Sequence, residues 1–400
     1  MIAGPQAPHT AAPTRPWAAW IDDQCTRVEA AGQWRAPRDL DAAGPAGTLT
    51  DPATGATRTV VSFASNDYLG LSQHPAGIAA AHEALDRWGA GSGAARLVVG
   101  ARPVHRTLED ELAAWRGAEA AVLFPTGFAA NLGVLTTFGA AGTRILSDEL
   151  NHASIIDGAR LARAEVAVYR HADVDHLERL LAEATAAGRR PIVATDTVFS
   201  MDGDAAPLDA LADACRRWDA LLVLDEAHAV LGPDGAHLVD GAGDGDGLDV
   251  LRVGTLSKTL GSLGGFVAGS RRACDLLVNR ARPYIFTTAS TPADTAAALA
   301  NLRVLRSAEG DALKARLRHH IDRLRPGHPS PIVPVIVGDE HDAVAASARL
   351  LDAGLLVPAI RPPTVAPGTS RLRVTVSAAH DDDQIDRLLA GLAAAGFPLT

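Results

Sequence analysis

The chain has 400 residues, 47% of them apolar and 21% charged, which is enough for a large core in two or three lobes and too apolar for a disordered chain. Its formal net charge of −10 argues against non-specific nucleic-acid binding, which needs basic side chains to meet phosphates. No apolar run approaches the ~20 residues of a membrane span, and three scattered cysteines without a C-x-x-C pair fit a reducing cytoplasm better than a disulfide frame or a zinc site.

The N-terminal stretch MIAGPQAPHTAAPTRP lacks the basic start and apolar run of a secretory signal and reads as a frayed tail. Residues 17–32 have the spacing of a short amphipathic helix, and TVVSFAS (59–65) reads as a strand entering NDYLGL. From about 105 to 270, apolar runs alternate with helical patterns. AAVLFPT precedes GFAANLGVLTTF, TRILSD precedes HASIIDGARLAR, and PIVATDTV precedes PLDALADACRRW; ALLVLDEAH, LRVGTLSK and GGFVAGS follow. Short, nearly continuous apolar strands between helices predict an α/β fold whose mostly parallel central sheet carries helices on both faces. Beyond Pro292 the texture changes to a small α+β domain with strands at PIVPVIVG, LLVPAI and RLRVTVSAA. The expected division is a tail and helical arm (1–58), a large domain (59–290) and a small C-terminal domain (291–400). The loop GAGDGDGLD (241–249) lacks the ligand spacing and distal Glu of a calcium loop and reads as solvated surface.

In such a sheet ligands sit at the carboxyl ends of the strands. Gly127, His152, Ser200, Asp225, His228 and Lys258 all fall there. The tetrapeptide Asp225-Glu226-Ala227-His228 admits two chemistries. One is the hydrolysis box of a nucleotide-driven helicase, which needs a G-x-x-x-x-G-K-[ST] loop. The nearest match, GTLSKT (254–259), lacks the glycine before the lysine and follows the box, so this reading fails. The other is the turn that grips pyridoxal phosphate (PLP). Only two lysines, Lys258 and Lys314, stand among 37 basic residues. Where arginine has replaced lysine almost everywhere, a surviving lysine in a small-residue loop suggests a task arginine cannot perform, such as covalent attachment of an aldehyde; Lys314 lies on a solvated helix face. An aspartate at the end of a strand can keep the pyridine nitrogen of PLP protonated. PTGFAAN opens a helix whose Gly127 and Phe128 amides would meet a phosphate, and His152 starts the next helix, where its imidazole could stack on the ring.

With these residues in place, the chain resembles the α-oxoamine synthases, fold-type-I PLP enzymes that join an amino acid to an acyl thioester with loss of CO2. The resemblance rests on SNDYLGL (65–71), GSGAARLVVG (91–100), HRTLEDELAAW (105–115), GFAAN (127–131), NHASIIDGAR (151–160), VFSMDGDAAPL (198–208), DEAH (225–228) and GTLSKTLGSLGG (254–265), in family order over roughly residues 60–380. AIRPPTVAPGTSRLRVTVSAAH (359–380) is most similar to the branch that joins L-alanine to a pimeloyl thioester on the way to biotin. The resemblance implies that the large domain binds PLP. Lys258 would hold the cofactor and move the α-proton, Asp225 would pair with its ring nitrogen, and His228 and Ser200 would bond its phenolic oxygen. Thr255 would join Gly127 and Phe128 at the phosphate. Thr288, in YIFTTAS, would reach the neighbour's phosphate site in a homodimer. Arg361 would grip the amino-acid carboxylate bidentately, Asn66 would lie near the substrate, and Arg35 in QWRAPR would meet the acyl carboxylate. Asp196 stands where relatives often carry Glu. The family leaves open a sibling synthase that uses glycine or serine with another acyl thioester, and a catalytically inactive partner subunit; retention of Lys258, His152 and Asp225 together argues against the latter.

Overall fold

The computed structural model describes residues 16–232 and 248–399. The tail before residue 16 and most of GAGDGDGLD lie outside the described residues. The amphipathic segment forms the helix Trp17–Ala30, which buries none of its residues in this chain. Strands β1 (Asp39–Ala42), β2 (Ala46–Thr50) and β3 (Thr57–Ser62) then form an antiparallel meander.

The central sheet is built from β4 (Ala120–Phe124), β5 (Thr143–Asp148), β6 (Glu165–Tyr169), β7 (Arg190–Asp196), β8 (Leu221–Asp225), β9 (Val250–Thr255) and β10 (Gly265–Gly269), in the order β4-β10-β9-β8-β7-β5-β6. Only β10 runs antiparallel to its neighbours; the other pairs are parallel. The strands read as unbroken apolar runs because helices cover both faces. Val223 joins the core beneath the helices Gly127–Phe138 and Ala153–Leu161, whereas Leu222 and Leu224 join the core beneath Val174–Ala186 and Leu208–Arg217. Each such side chain, fully buried, stabilises the fold by roughly 1.5–3 kcal/mol. The alternation continues into the turn after β8, so Asp225 and Glu226 leave on opposite faces.

The C-terminal part contains β11 (Ile332–Gly338), β12 (Leu355–Leu356), β13 (Ala359–Ile360) and β14 (Ser370–Thr375). β11, β14 and β13 form one small sheet, while β12 pairs in parallel with β3, so the N-terminal meander is tied to the C-terminal region. This region clasps the loop after β7. Ser330 Oγ donates to the Gly203 carbonyl at 2.7 Å and Arg371 pairs with Asp202. A side chain on Gly203, which has φ 69°, would meet the Ile332 carbonyl at 2.0 Å, so the clasp requires glycine. None of the described helices is long and apolar enough to cross a membrane.

Candidate active site

The site gathers where β4, β5, β7, β8 and β9 end. Thr126 caps the helix Gly127–Phe138: its hydroxyl accepts the Ala129 amide at 3.0 Å and its carbonyl accepts the Ala130 amide at 3.0 Å. The Gly127 and Phe128 amides are left without an acceptor among the described residues, at the positive end of the helix. A side chain on Gly127 would come within 3.3 Å of Thr255 Cβ, which places the Thr255 hydroxyl against this first turn. Two free amides and a hydroxyl beside a glycine form a cradle suited to a phosphate.

Asp225 is held from both sides. Asn131 Nδ2 donates to its Oδ2 at 2.6 Å and the Ala227 amide to its Oδ1 at 2.9 Å; Asn131 also donates to Ser154 Oγ at 2.8 Å. His152 caps the helix Ala153–Leu161 with its ring toward Ser154 Oγ, 2.8 Å from Nδ1, and edge-on to Phe128. The His152 amide donates to Asp196 Oδ2 at 2.7 Å.

Lys258 lies in a loop seated on SNDYLGLS; Gly261, at φ 57°, approaches the Ser72 amide so closely that a Cβ would stand 2.2 Å from it. Its Nζ is 2.7 Å from His228 Nε2, and the other ring nitrogen of His228 is 2.5 Å from the Tyr68 hydroxyl. Tyr68 reaches Asn66 Oδ1 at 3.1 Å, which also accepts Arg373 at 3.1 Å. Arg373, buried, donates further to the Ser200 carbonyl at 2.7 Å and to Thr375 Oγ1 at 2.9 Å. A guanidinium can only donate, so Asn66 Oδ1 is the acceptor, the Tyr68 hydroxyl is free to donate to it, and His228 Nδ1–H can donate to Tyr68. Nε2 then accepts from Lys258.

Burial pulls the Lys258 amine down to about 8, against the opposing pull of the Asp225 carboxylate. Burial also holds His228 well below the usual imidazole range, with Lys258 and Arg373 adding to the shift, and lowers His152. Asp196 is driven well above the carboxylate range by burial and by its neighbour Asp225.

The donor set fits PLP: a cradle for its phosphate, a carboxylate for its ring nitrogen, an amine of lowered basicity for its aldehyde. The chain matches the class I and II aminotransferase family over residues 58–392. The 8-amino-7-oxononanoate synthase of Anaeromyxobacter dehalogenans is 50% identical over 385 residues, covering 94% of this chain and 95% of that one. The chain belongs to the class I and II aminotransferase family, among the α-oxoamine synthases. The synthase of the same name from Alkalilimnicola ehrlichii is 48% identical, covering 91% of this chain and 94% of the relative. Among solved structures, serine palmitoyltransferase of Sphingomonas wittichii superposes with a TM-score of 0.85 at 32% identity, over 95% of this chain and 98% of that one. An 8-amino-7-oxononanoate synthase from Francisella tularensis superposes with 0.69 at 26% identity, over 84% and 97%.

Of the residues expected from sequence, the structure brings together Gly127, Phe128, His152, Asp225, His228, Thr255 and Lys258, with Asn66 and Ser200 linked to them through Arg373. Arg361 is elsewhere. It donates to the Gly32 and Trp34 carbonyls of the N-terminal arm and shares a cavity of about 560 Å³ with Arg35. Thr288 is exposed and lines a small cavity with Arg96, Pro125 and Tyr284. Tyr68, Asn131 and Arg373 were not singled out from sequence. All three lie inside quoted motifs, and for Arg373 the i, i+2 spacing from Arg371 was the available signal of a shared strand face.

Proposed function

We propose that this chain catalyses the PLP-dependent, decarboxylative condensation of L-alanine with a pimeloyl thioester, giving 8-amino-7-oxononanoate, CO2 and the free thiol. The observation that carries this reading is the buried Lys258 amine, 2.7 Å from His228 Nε2 and under the charge of Asp225, in a chain half identical to synthases of that name. Bound PLP supplies an electron sink for the two Cα bonds that must break. Asp225 would keep a proton on the ring nitrogen, and Gly127, Phe128 and Thr255 would hold the phosphate. His152 would cover the ring. Lys258 would anchor the aldehyde and carry the Cα proton; with its basicity lowered to about 8, a usable fraction is unprotonated near neutral pH.

Arg373, with Asn66 beside it, is a buried guanidinium of the site that would orient the amino-acid carboxylate and so bias which Cα bond breaks. Arg35, Arg38 and Arg361, lining one cavity with Trp34 and Ile360, suit the far carboxylate of a long acyl chain. The working unit is a homodimer. Leu97, Val98, Val99 and Phe286 are exposed on neighbouring segments joined by the Ala289–Ala94 backbone bond, an apolar patch that a second copy would cover next to Thr288. Three free cysteines suit a cytoplasmic enzyme.

The closer superposition on serine palmitoyltransferase keeps a serine-using sibling as the second reading. A panel of alanine, glycine and serine with pimeloyl-CoA, read as thiol release and product mass, decides between them. Alanine is expected to lead, with borohydride fixing the pyridoxyl group on Lys258. Preference for serine, or labelling at Lys314, overturns the proposal.

A further inference from the structure

Beside Asp225 stands a second buried carboxyl, Asp196, that has no part in holding the cofactor. Asp196 ends β7 as Asp225 ends β8, and the two are register partners across the parallel pair, so their side chains stand side by side on one face of the sheet. Both are buried, at 2% and 6% exposure. The backbone of Asp196 is locked: its amide donates to Asn151 Oδ1 at 2.9 Å, and Asn151 Nδ2 donates in turn to the Ala194 carbonyl at 2.8 Å and to Ser147 Oγ at 2.9 Å. Its Oδ2 accepts the His152 amide at 2.7 Å. The groups facing it are Asp225, Asp148, Lys258 and His152, with Lys258 as the cation among them.

We propose that Asp196 is a positioning residue with two tasks: it fixes the His152 ring by accepting the His152 amide, and it serves as the uncharged member of a carboxyl pair whose charge resides on Asp225. Two neighbouring carboxyls in a buried site cannot both ionise cheaply. Asp225 has two fixed donors, Asn131 and the Ala227 amide, against one for Asp196, so the negative charge settles on Asp225. A single carboxylate then matches a single ring nitrogen, and a second charge would over-stabilise the cationic forms of both Lys258 and the ring. Burial in this company raises Asp196 well above the carboxylate range, in agreement with the geometry.

This inference rests on the PLP reading, and its test separates the two. Asp196→Asn keeps an oxygen for the His152 amide and removes the ionisable proton; Asp196→Ala removes both. The readouts are PLP affinity of the apo-protein and the pH titration of the bound cofactor's absorbance. Asp196→Asn is expected to bind PLP within about threefold of wild type with its titration unmoved, whereas Asp196→Ala loses about tenfold or more in affinity. A titration displaced by a pH unit or more in Asp196→Asn means that Asp196 is charged and overturns the proposal, as does an Ala variant that binds PLP like the Asn variant. If Asp196→Ala does not fold, the Asn titration alone decides. Failure of the wild-type protein to bind PLP would instead overturn the functional reading.

Discussion

Asp225 and Glu226 are adjacent, both acidic and both buried, yet their surroundings are opposite. On one face of the sheet, Asp225 is held by neutral donors, Asn131 and a backbone amide, and its neighbouring cation is the side chain of Lys258. On the other, Glu226 accepts Arg252 at 2.7 Å and faces Arg116 at 3.2 Å, while Arg252 donates on to the Arg116 carbonyl at 2.6 Å. A carboxylate clamped between fixed guanidiniums has its charge compensated within the fold and acts as an internal fastener between β8, β9 and the end of the helix Pro103–Trp115. A carboxylate oriented by neutral donors keeps its charge available to a ligand. The same dipeptide therefore supplies a functional charge to one face and a structural one to the other.

Paired isosteric changes test this contrast most directly, and the largest effects are expected here. Asp225→Asn should lower turnover by about 10²–10³-fold or more, while the unfolding free energy in denaturant changes by less than about 1 kcal/mol. Glu226→Gln should do the reverse, costing about 3–5 kcal/mol of stability by leaving buried Arg252 short of a countercharge. Equal loss of stability in both variants would erase the distinction between the two faces.

How far the site was legible follows the same division. Asp225, Lys258, Gly127 and His152 could be read from the chain because each occupies a strand end or helix start where its residue type has one strong chemical use. The role of Glu226 could not be read, because it depends on Arg252 reaching across from β9 and on Arg116 from a distant helix end. The arginines of the small domain show the limit best. In SRLRVTV, alternation suggests a strand with Arg371 and Arg373 on a solvated face, the usual meaning of a polar alternate. The structure buries both because the loop after β7 closes over that face. Arg361, in the more conspicuous IRPP segment, was expected to be the carboxylate grip, but its side chain is turned to the N-terminal arm.

The second contrast is between these arginines. Arg373→Lys removes the planar fork at the centre of the site and is expected to raise KM for alanine by about 10- to 100-fold, equivalent to roughly 1.5–3 kcal/mol of charge-assisted bonding. Arg361→Lys should leave KM for alanine within about twofold and act instead on the acyl thioester, because the partners of Arg361 belong to the arm and its cavity. An unchanged alanine KM in the Arg373 variant, with a raised one in the Arg361 variant, would reverse the assignment.

A third arrangement, with one buried and one half-exposed acid around a histidine, gives a pH signature. His171 is bound by two carboxylates, with Asp204 Oδ2 2.7 Å from Nε2 and Asp148 Oδ1 3.1 Å from Nδ1, and its ring meets Phe199 edge-on. The hydrogen bonds to Asp148 and Asp204 raise the imidazolium to about 10 against the opposing effect of burial. Here the cation is titratable, unlike the guanidiniums beside Glu226, so the link between the end of β5 and the loop after β7 should depend on pH. The folded value lies above the ordinary imidazole value near 6.5. The imidazolium therefore contributes its full stability below about pH 6.5 and loses it as pH rises through about 10. His171→Gln should cost about 1.5–3 kcal/mol at pH 6, with the gap from wild type closing as pH approaches 10. A gap that stays constant from pH 6 to 10 would mean that packing against Phe199, and not the charge, is what His171 contributes.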